Sequence, residues 1–277
     1  MKNLYDTIKA KAGRQAPMLI KHLSAAGIKG WADLTRSNLY ELRDTVVDNL
    51  APNSARCLGA TLSAFLRRYK DEIELPDGWE DILRFRGNKP VHTHLTKREL
   101  KLLEDTPVAS DKERIVKYQS LIEAYTGARV SDIGEFNDAN IKDGWLTYTS
   151  KKTKTTASVP ISEKVHGWVR YAHEHVDDSP TLSGREQIIK RLCKRAGINE
   201  RVKVVRGGKT KEVEKWEAIS SHAMRRSFVT NLIQAGASLA DTGRMAGHGT
   251  NIAMTQRYIC DYHVDSLPER AMAYFNE

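Results

Sequence analysis

The chain has 277 residues, 40% of them hydrophobic, with a formal charge of +9 and an isoelectric point near 9.4. That length suits two domains, the hydrophobic content excludes a disordered chain, and the positive balance favours a polyanionic partner. Residues 1–90 hold 15 Lys and Arg against 11 Asp and Glu, and the remainder 29 against 24. The excess thus runs through both halves, as in a protein that surrounds a duplex, and does not sit in one basic tail. Cys57, Cys193 and Cys260 are odd in number and far apart, with no paired zinc spacing, so a reducing cytoplasm is expected. No run of about 20 apolar residues is present, and Met1-Lys2-Asn3-Leu4-Tyr5 does not open a signal peptide.

Residues 1–75 read as short helices. Leu19, Ile20, Leu23 and Ala26 recur at helical spacing and Gly27 ends that segment; Thr35 precedes a second stripe continued by Val46, Val47 and Leu50. Pro52-Asn53-Ser54 opens a third helix with Leu58, Leu62, Phe65, Leu66 and Tyr69 on one face. Its basic residues Arg56, Arg67, Arg68 and Lys70 suit a DNA groove as well as they suit an ordinary solvated face. Residues 76–95, with Pro76-Asp77-Gly78 and Gly87-Asn88-Lys89-Pro90, read as a linker. A second domain, 96–277, opens on a helix whose Thr96 and Glu99 form a capping-box pattern. The next helix runs through Ile115, Tyr118, Leu121, Ile122 and Tyr125 until Gly127 stops it. Trp145–Thr149 and Thr155–Val159 predict two strands around the tip Lys151-Lys152-Thr153-Lys154. Helices follow near 162–175 and 184–196, then a hairpin over 201–217 turning at Gly207-Gly208. From His222 the chain is helical again, broken at Gly236 and at Gly247-His248-Gly249. The fold class is mainly α with small β hairpins (α+β).

The chemistry gathers in the second domain. His222 and Arg225 stand at i and i+3, where both side chains can meet one phosphate, although His-x-x-Arg also occurs on ordinary basic helices. Arg129 follows the Gly127 break at a helix start, where backbone donors and the dipole favour anions, and Asp132 could hold its guanidinium. Lys152 on the hairpin tip can reach a departing oxygen, with Lys151 and Lys154 as rivals and as candidate backbone contacts. Gly247 and Gly249 present His248 on a tight turn, and Thr250 or Asn251 can cap the helix that carries Tyr258. A tyrosine hydroxyl is a poor nucleophile unless its proton is removed. Tyr258 near Arg and His therefore suggests covalent chemistry on a phosphodiester, with Tyr262 the competing nucleophile.

In order and spacing, Thr126-Gly127-Ala128-Arg129, the lysine eight residues before Pro160, His222-Ala223-Met224-Arg225, Gly247-His248 and Thr255-x-x-Tyr258 resemble the tyrosine recombinases, the phage integrase family. The resemblance covers almost the whole second domain; the N-terminal helices look like the family's core-binding domain in pattern only. Three departures stand out. His248 to Tyr258 is ten residues where nine is common, Met224 replaces a frequent leucine, and Arg226 fills a position for His or Arg. The resemblance implies a helical core-binding domain over 1–75, a linker over 76–95 and a catalytic domain over 96–277 with a C-terminal tail helix.

It also implies a site-specific recombinase in which Tyr258 attacks the phosphate to give a 3′-phosphotyrosine. Arg129 and Arg225 would hold the non-bridging oxygens, His222 would accept the tyrosine proton, Lys152 would protonate the leaving group and His248 would hydrogen-bond the phosphate. Arg226 would be an accessory contact. Neither metal nor ATP is implied. The implied partners are double-stranded DNA attachment sites, a homotetramer on two paired sites that is monomeric when free, and accessory DNA-bending proteins, on the nucleoid of a bacterial cytoplasm. The apolar tail Val264–Glu277 would pack on a neighbouring protomer or against its own domain. A type IB topoisomerase and a non-cleaving DNA-binding protein are the alternatives.

Overall fold

The computed structural model describes residues 3–88 and 91–260, so Tyr262 and the tail Val264–Glu277 lie outside the described residues. The chain divides into two compact units, one of residues 1–90 with 205–211, the other of residues 91–204 with 212–277.

The first unit is helical: α1 (Leu4–Lys11), α2 (Ala16–Ala25), α3 (Arg36–Asn49), α4 (Pro52–Leu66) and the single turn α5 (Trp79–Ile82). Thr35 caps α3, its hydroxyl accepting the Asn38 N–H at 3.3 Å, and Pro52 starts α4 where no backbone donor is needed. Leu19, Leu23, Leu39, Leu42, Val46, Leu58 and Leu62 form its core. The expected linker is only partly one. Pro76-Asp77-Gly78 punctuates the start of α5, with Gly78 left-handed, and Ile82, Leu83 and Phe85 are buried in the same core. Arg43 closes this segment by donating to the carbonyl of Ile82 and lying 5.3 Å over the Phe85 ring. Turn residues were legible; the apolar residues between them decided that the stretch packs. Of the basic residues on the third predicted helix, Arg67 is paired with Glu80 at 2.7 Å, while Arg56 and Arg68 are exposed.

The second unit is built around α7 (Asp111–Thr126), which packs against α6 (Lys97–Asp105), α9 (Glu163–Glu174), α10 (Leu182–Arg195) and α12 (Ser221–Gln234). The Thr96 capping box forms as expected, with Thr96 N–H donating to Glu99 Oε2 at 2.8 Å and Glu99 N–H to Thr96 Oγ1 at 3.2 Å. Surrounded by helices, α7 buries charged residues as well as Val116, Leu121 and Ile122. Arg185 of α10 meets Glu123 at 2.5 Å and Gln119 at 3.0 Å inside this core.

After the short α8 (Val130–Ile133) comes an antiparallel sheet ordered β1 (Ile141–Lys142), β2 (Trp145–Thr149), β3 (Thr156–Pro160). Leu146 pairs with Val159 and Tyr148 with Ala157, so this set faces the core while Trp145, Thr147 and Thr149 face out. The two-residue β1 escaped the sequence reading because it is too short to show alternation. A hairpin of β4 (Arg201–Arg206) and β5 (Lys209–Glu214) turns at Gly207-Gly208, both with positive φ. The single turn α11 (Lys215–Ala218) precedes α12, and α13 (Leu239–Met245) and α14 (Ile252–Gln256) follow it. Among the described residues no helix is long and apolar enough to cross a membrane.

Candidate active site

The site begins where α7 ends. Gly127 takes φ of +67°, and a Cβ there would lie 2.4 Å from the Phe228 ring of α12, so backbone conformation and packing both require glycine. That close approach delivers the Gly127 carbonyl to Nη1 of Arg225, which donates to it. Nη2 of Arg225 donates to the Ala246 carbonyl at 2.6 Å and to His248 Nε2 at 2.8 Å. Arg225 is 1% exposed, and among the described residues its Nε has no hydrogen-bond partner and its guanidinium is in no ion pair. Burial first, then the charge of Arg129, lowers its pKa. His222 shares α12 with Arg225 and is exposed on its first turn, whereas Arg225 is buried.

Arg129, half-buried at the N-cap of α8, donates through Nη1 to the fully buried Ser150 Oγ at 2.7 Å. The expected support from Asp132 is not the contact formed. Asp132 Oδ1 instead accepts the Lys151 N–H at 3.0 Å, because the β2–β3 turn folds down onto α8. Two bonds therefore tie the arginine segment to the turn bearing the three lysines. In that turn Lys154 adopts a positive φ and its N–H donates to the Ser150 carbonyl at 2.9 Å. Lys151 pairs with Glu135 at 2.6 Å, whereas Lys152 is exposed and has no ion pair among the described residues. Partial desolvation and then the charges of Arg226, Arg225, Lys152 and Arg129 hold the pKa of His222 below the ordinary histidine value. Of the three lysines, Lys152 is the one whose charge His222 feels.

Tyr258 is half-buried and sits just beyond α14, in a turn closed by its N–H donating to the Thr255 carbonyl at 2.9 Å. The sequence reading placed it on the helix. Asn251 caps that helix, accepting the Met254 N–H at 3.0 Å, but it runs only to Gln256. The Tyr258 ring lies 5.2 Å from the Arg225 guanidinium carbon, 5.1 Å from that of Arg226 and 4.9 Å from the His248 ring centroid. It rests on a small apolar cluster of Val159, Phe228, Val229 and Ala246. Arg226 is anchored by donating to the Arg257 carbonyl at 2.9 Å.

Arg129, Lys152, His222, Arg225, His248 and Tyr258 thus converge in the second unit. Ser150 and Tyr148 were not singled out beforehand, and Thr255 was named only as part of the Thr255-x-x-Tyr258 spacing. Strand alternation placed Tyr148 inward, and burial pushes its hydroxyl up to about 12 against the pull of Arg225. Nothing local marked Ser150. Among the described residues no three His, Cys, Asp or Glu side chains are grouped to hold a metal ion.

His248 is buried between Gly247 and Gly249, and its pKa falls from 6.5 to about 4, chiefly through burial, then through Arg225 and Arg129. Between those values the unfolded chain binds the extra proton and the folded one does not. This contribution to stability is complete above pH 6.5 and is lost as the pH falls towards 4. Urea unfolding should show wild type losing about 2 kcal/mol more than His248→Gln between pH 7.5 and pH 5. Equal losses would contradict the assignment.

Residues 93–263 match the phage integrase family. The chain belongs to that family, the tyrosine recombinases, as the order of its motifs implied. The tyrosine recombinase XerA of Pyrococcus furiosus is 25% identical over 199 residues, which span 66% of this chain and 63% of that protein. Two solved structures share the fold. A lambda integrase dimer bound to a COC′ core site superposes with a TM-score of 0.64 at 18% identity, over 95% of this chain and 96% of that one. The Tn1549 transposon integrase in complex with transposon right end DNA gives 0.67 at 13% identity, over 100% of both chains.

Proposed function

We propose that this chain is a site-specific DNA recombinase, the integrase of a phage or mobile element, that cuts and rejoins DNA through a 3′-phosphotyrosine. The observation that carries this reading is a buried guanidinium, Arg225, that is in no ion pair among the described residues and has the Tyr258 ring packed against it. A buried cation without a counter-charge is costly, and a phosphate supplies the missing charge.

In this reading Tyr258 Oη attacks the scissile phosphorus while its proton passes to His222, which is mostly neutral at pH 7 given its lowered pKa. The bond from phosphorus to the 5′ oxygen breaks, and Lys152 protonates that oxygen. Arg129 and Arg225 neutralise the charge that grows on the non-bridging oxygens. Rejoining reverses these steps without ATP, since the phosphotyrosine keeps the energy of the broken bond, and side-chain cations take the place of a metal. The first unit would grip the duplex through exposed residues such as Arg56 and Arg68. The assembly would be a homotetramer on two paired attachment sites; the lambda integrase neighbour is a dimer on DNA.

A nicked suicide duplex tests the reading. Wild type should form a covalent protein–DNA adduct without metal or ATP, and Tyr258→Phe should form none. An adduct of undiminished yield with Tyr258→Phe would overturn the nucleophile assignment. Strand exchange between two site-bearing duplexes separates a recombinase from a topoisomerase, which would only relax supercoils.

A further inference from the structure

We propose that His92, together with Arg226 and His222, forms a second phosphate subsite beside the clamp of Arg129 and Arg225, and that it takes a DNA backbone phosphate next to the scissile one. The ligand rests on the strand-cleavage reading, and the test separates the two.

His92 belongs to the irregular segment 91–96 that leads into α6, and no motif marked it. The backbone of Leu95 lays this segment on α12. Its N–H donates to Ser227 Oγ at 2.8 Å, and its carbonyl accepts from Asn231 Nδ2 at 3.0 Å. The N–H meets the earlier helix residue and the carbonyl the later one, so the chain before Leu95 heads towards the first turn of α12. Three residues span at most about 10 Å, and the rise from Ser227 back to His222 is about 7.5 Å. That brings His92 within reach of the helix end that carries His222 and Arg226. The forces on its ring agree. Partial burial, then the charges of Arg226 and His222, hold the His92 pKa below the ordinary histidine value.

These side chains make a cluster of one sign. Arg226 is the first charge to act on both imidazoles, and His222 also feels Arg225, Lys152 and Arg129. No carboxylate is among the charges that act on His92, His222 or Arg226. Arg226 and Arg225 lie 5.1 and 5.2 Å from the Tyr258 ring, so the cluster adjoins the clamp at the nucleophile. His92 and Arg226 are half-buried and His222 is exposed, which leaves the cluster open to a ligand from solvent. In the free protein, burial and the neighbouring cations disfavour protonation of His92, and an arriving phosphate reverses that balance. His92 then takes up a proton and donates to a phosphate oxygen in a charge-assisted hydrogen bond. The affinity gained is present at low pH and is lost as the pH rises through the pKa of His92 in the complex.

The test is fluorescence anisotropy of the full chain on a short labelled DNA duplex, at constant salt, between pH 6 and pH 8. Backbone contacts carry no sequence information, so any duplex serves. Wild type should bind more tightly at pH 6. His92→Gln should weaken binding by about 3- to 10-fold at pH 6 and by less than about twofold at pH 8, which flattens the pH dependence. His92→Arg, whose charge is permanent, should bind at pH 8 at least as tightly as wild type and also show a flatter dependence. His173→Gln, which removes an exposed imidazole from α9, should keep the wild-type dependence. An unchanged pH dependence in His92→Gln would overturn the subsite alone. An equal flattening in His173→Gln would do the same, since loss of any surface imidazole would then suffice. Failure of wild type to bind any duplex would overturn the strand-cleavage reading and the subsite with it.

Discussion

Arg225→Ala should lower the rate of adduct formation by about 10²-fold or more, the loss seen when one transition-state donor is removed. The guanidinium is already held by the Gly127 and Ala246 carbonyls and by His248, so it needs no reorganisation when charge grows on the phosphate. Arg225→Lys should rescue little. A single ammonium cannot meet two carbonyls and an imidazole in a fixed fork, even though it keeps the charge. Both variants should also be less stable, since each buried carbonyl left without a donor costs about 1–3 kcal/mol. DNA affinity should fall far less than the rate, because many exposed cations share the phosphate contacts. Cleavage by Arg225→Ala within about tenfold of wild type would show that the clamp lies elsewhere.

The second large effect is on stability. Glu123 is 1% exposed on α7, with Arg185 of α10 at 2.5 Å and Gln119 completing the cluster. Burial raises the Glu123 carboxyl, and Arg185 opposes that rise. Glu123→Ala leaves a buried guanidinium without its counter-charge and should lower the unfolding free energy by about 3–5 kcal/mol. The double variant Glu123→Met with Arg185→Met removes both charges and should lie near wild type, because a buried ion pair contributes little net stability over apolar packing. Urea denaturation of the two variants decides the matter. If the double variant were as unstable as the single one, the cluster would be contributing shape, not charge compensation. Glu123 lies four residues before Gly127, so loosening α7 here should also reach Arg225.

Much of this architecture was legible beforehand wherever the cause is local. The Thr96–Glu99 capping box, the stop at Gly127, the β2–β3 alternation and the Gly207-Gly208 turn depend on neighbours a few residues apart. The six candidate site residues could be named as a set because their order and spacing resemble the phage integrase family; the local marks beside them, a glycine break, a hairpin tip or an i, i+3 pair, left rivals open. The reading erred where packing overrides local marks. Residues 79–85 lie in a turn-rich stretch yet bury Ile82, Leu83 and Phe85. Tyr258 follows a helical pattern that ends two residues too soon. Asp132 had the right spacing for Arg129, but the hairpin turn claimed its carboxylate and Ser150 took the arginine.

Periodicity, caps and glycine positions in the chain alone determined a mainly helical protein with small hairpins, and the order of its motifs carried the resemblance that named the groups for the proposed strand cleavage. Only the tertiary structure decided how those groups are used. Arg225 reaches Gly127 across 98 positions, Ala246 across 21 and His248 across 23. His248 meets Arg225 through Nε2 and Thr255 through Nδ1, contacts that span 23 and 7 positions. Contacts of that range are set by how α7, α12, α13 and α14 pack, and side-chain volumes distributed over the whole core fix that packing, which no local pattern encodes.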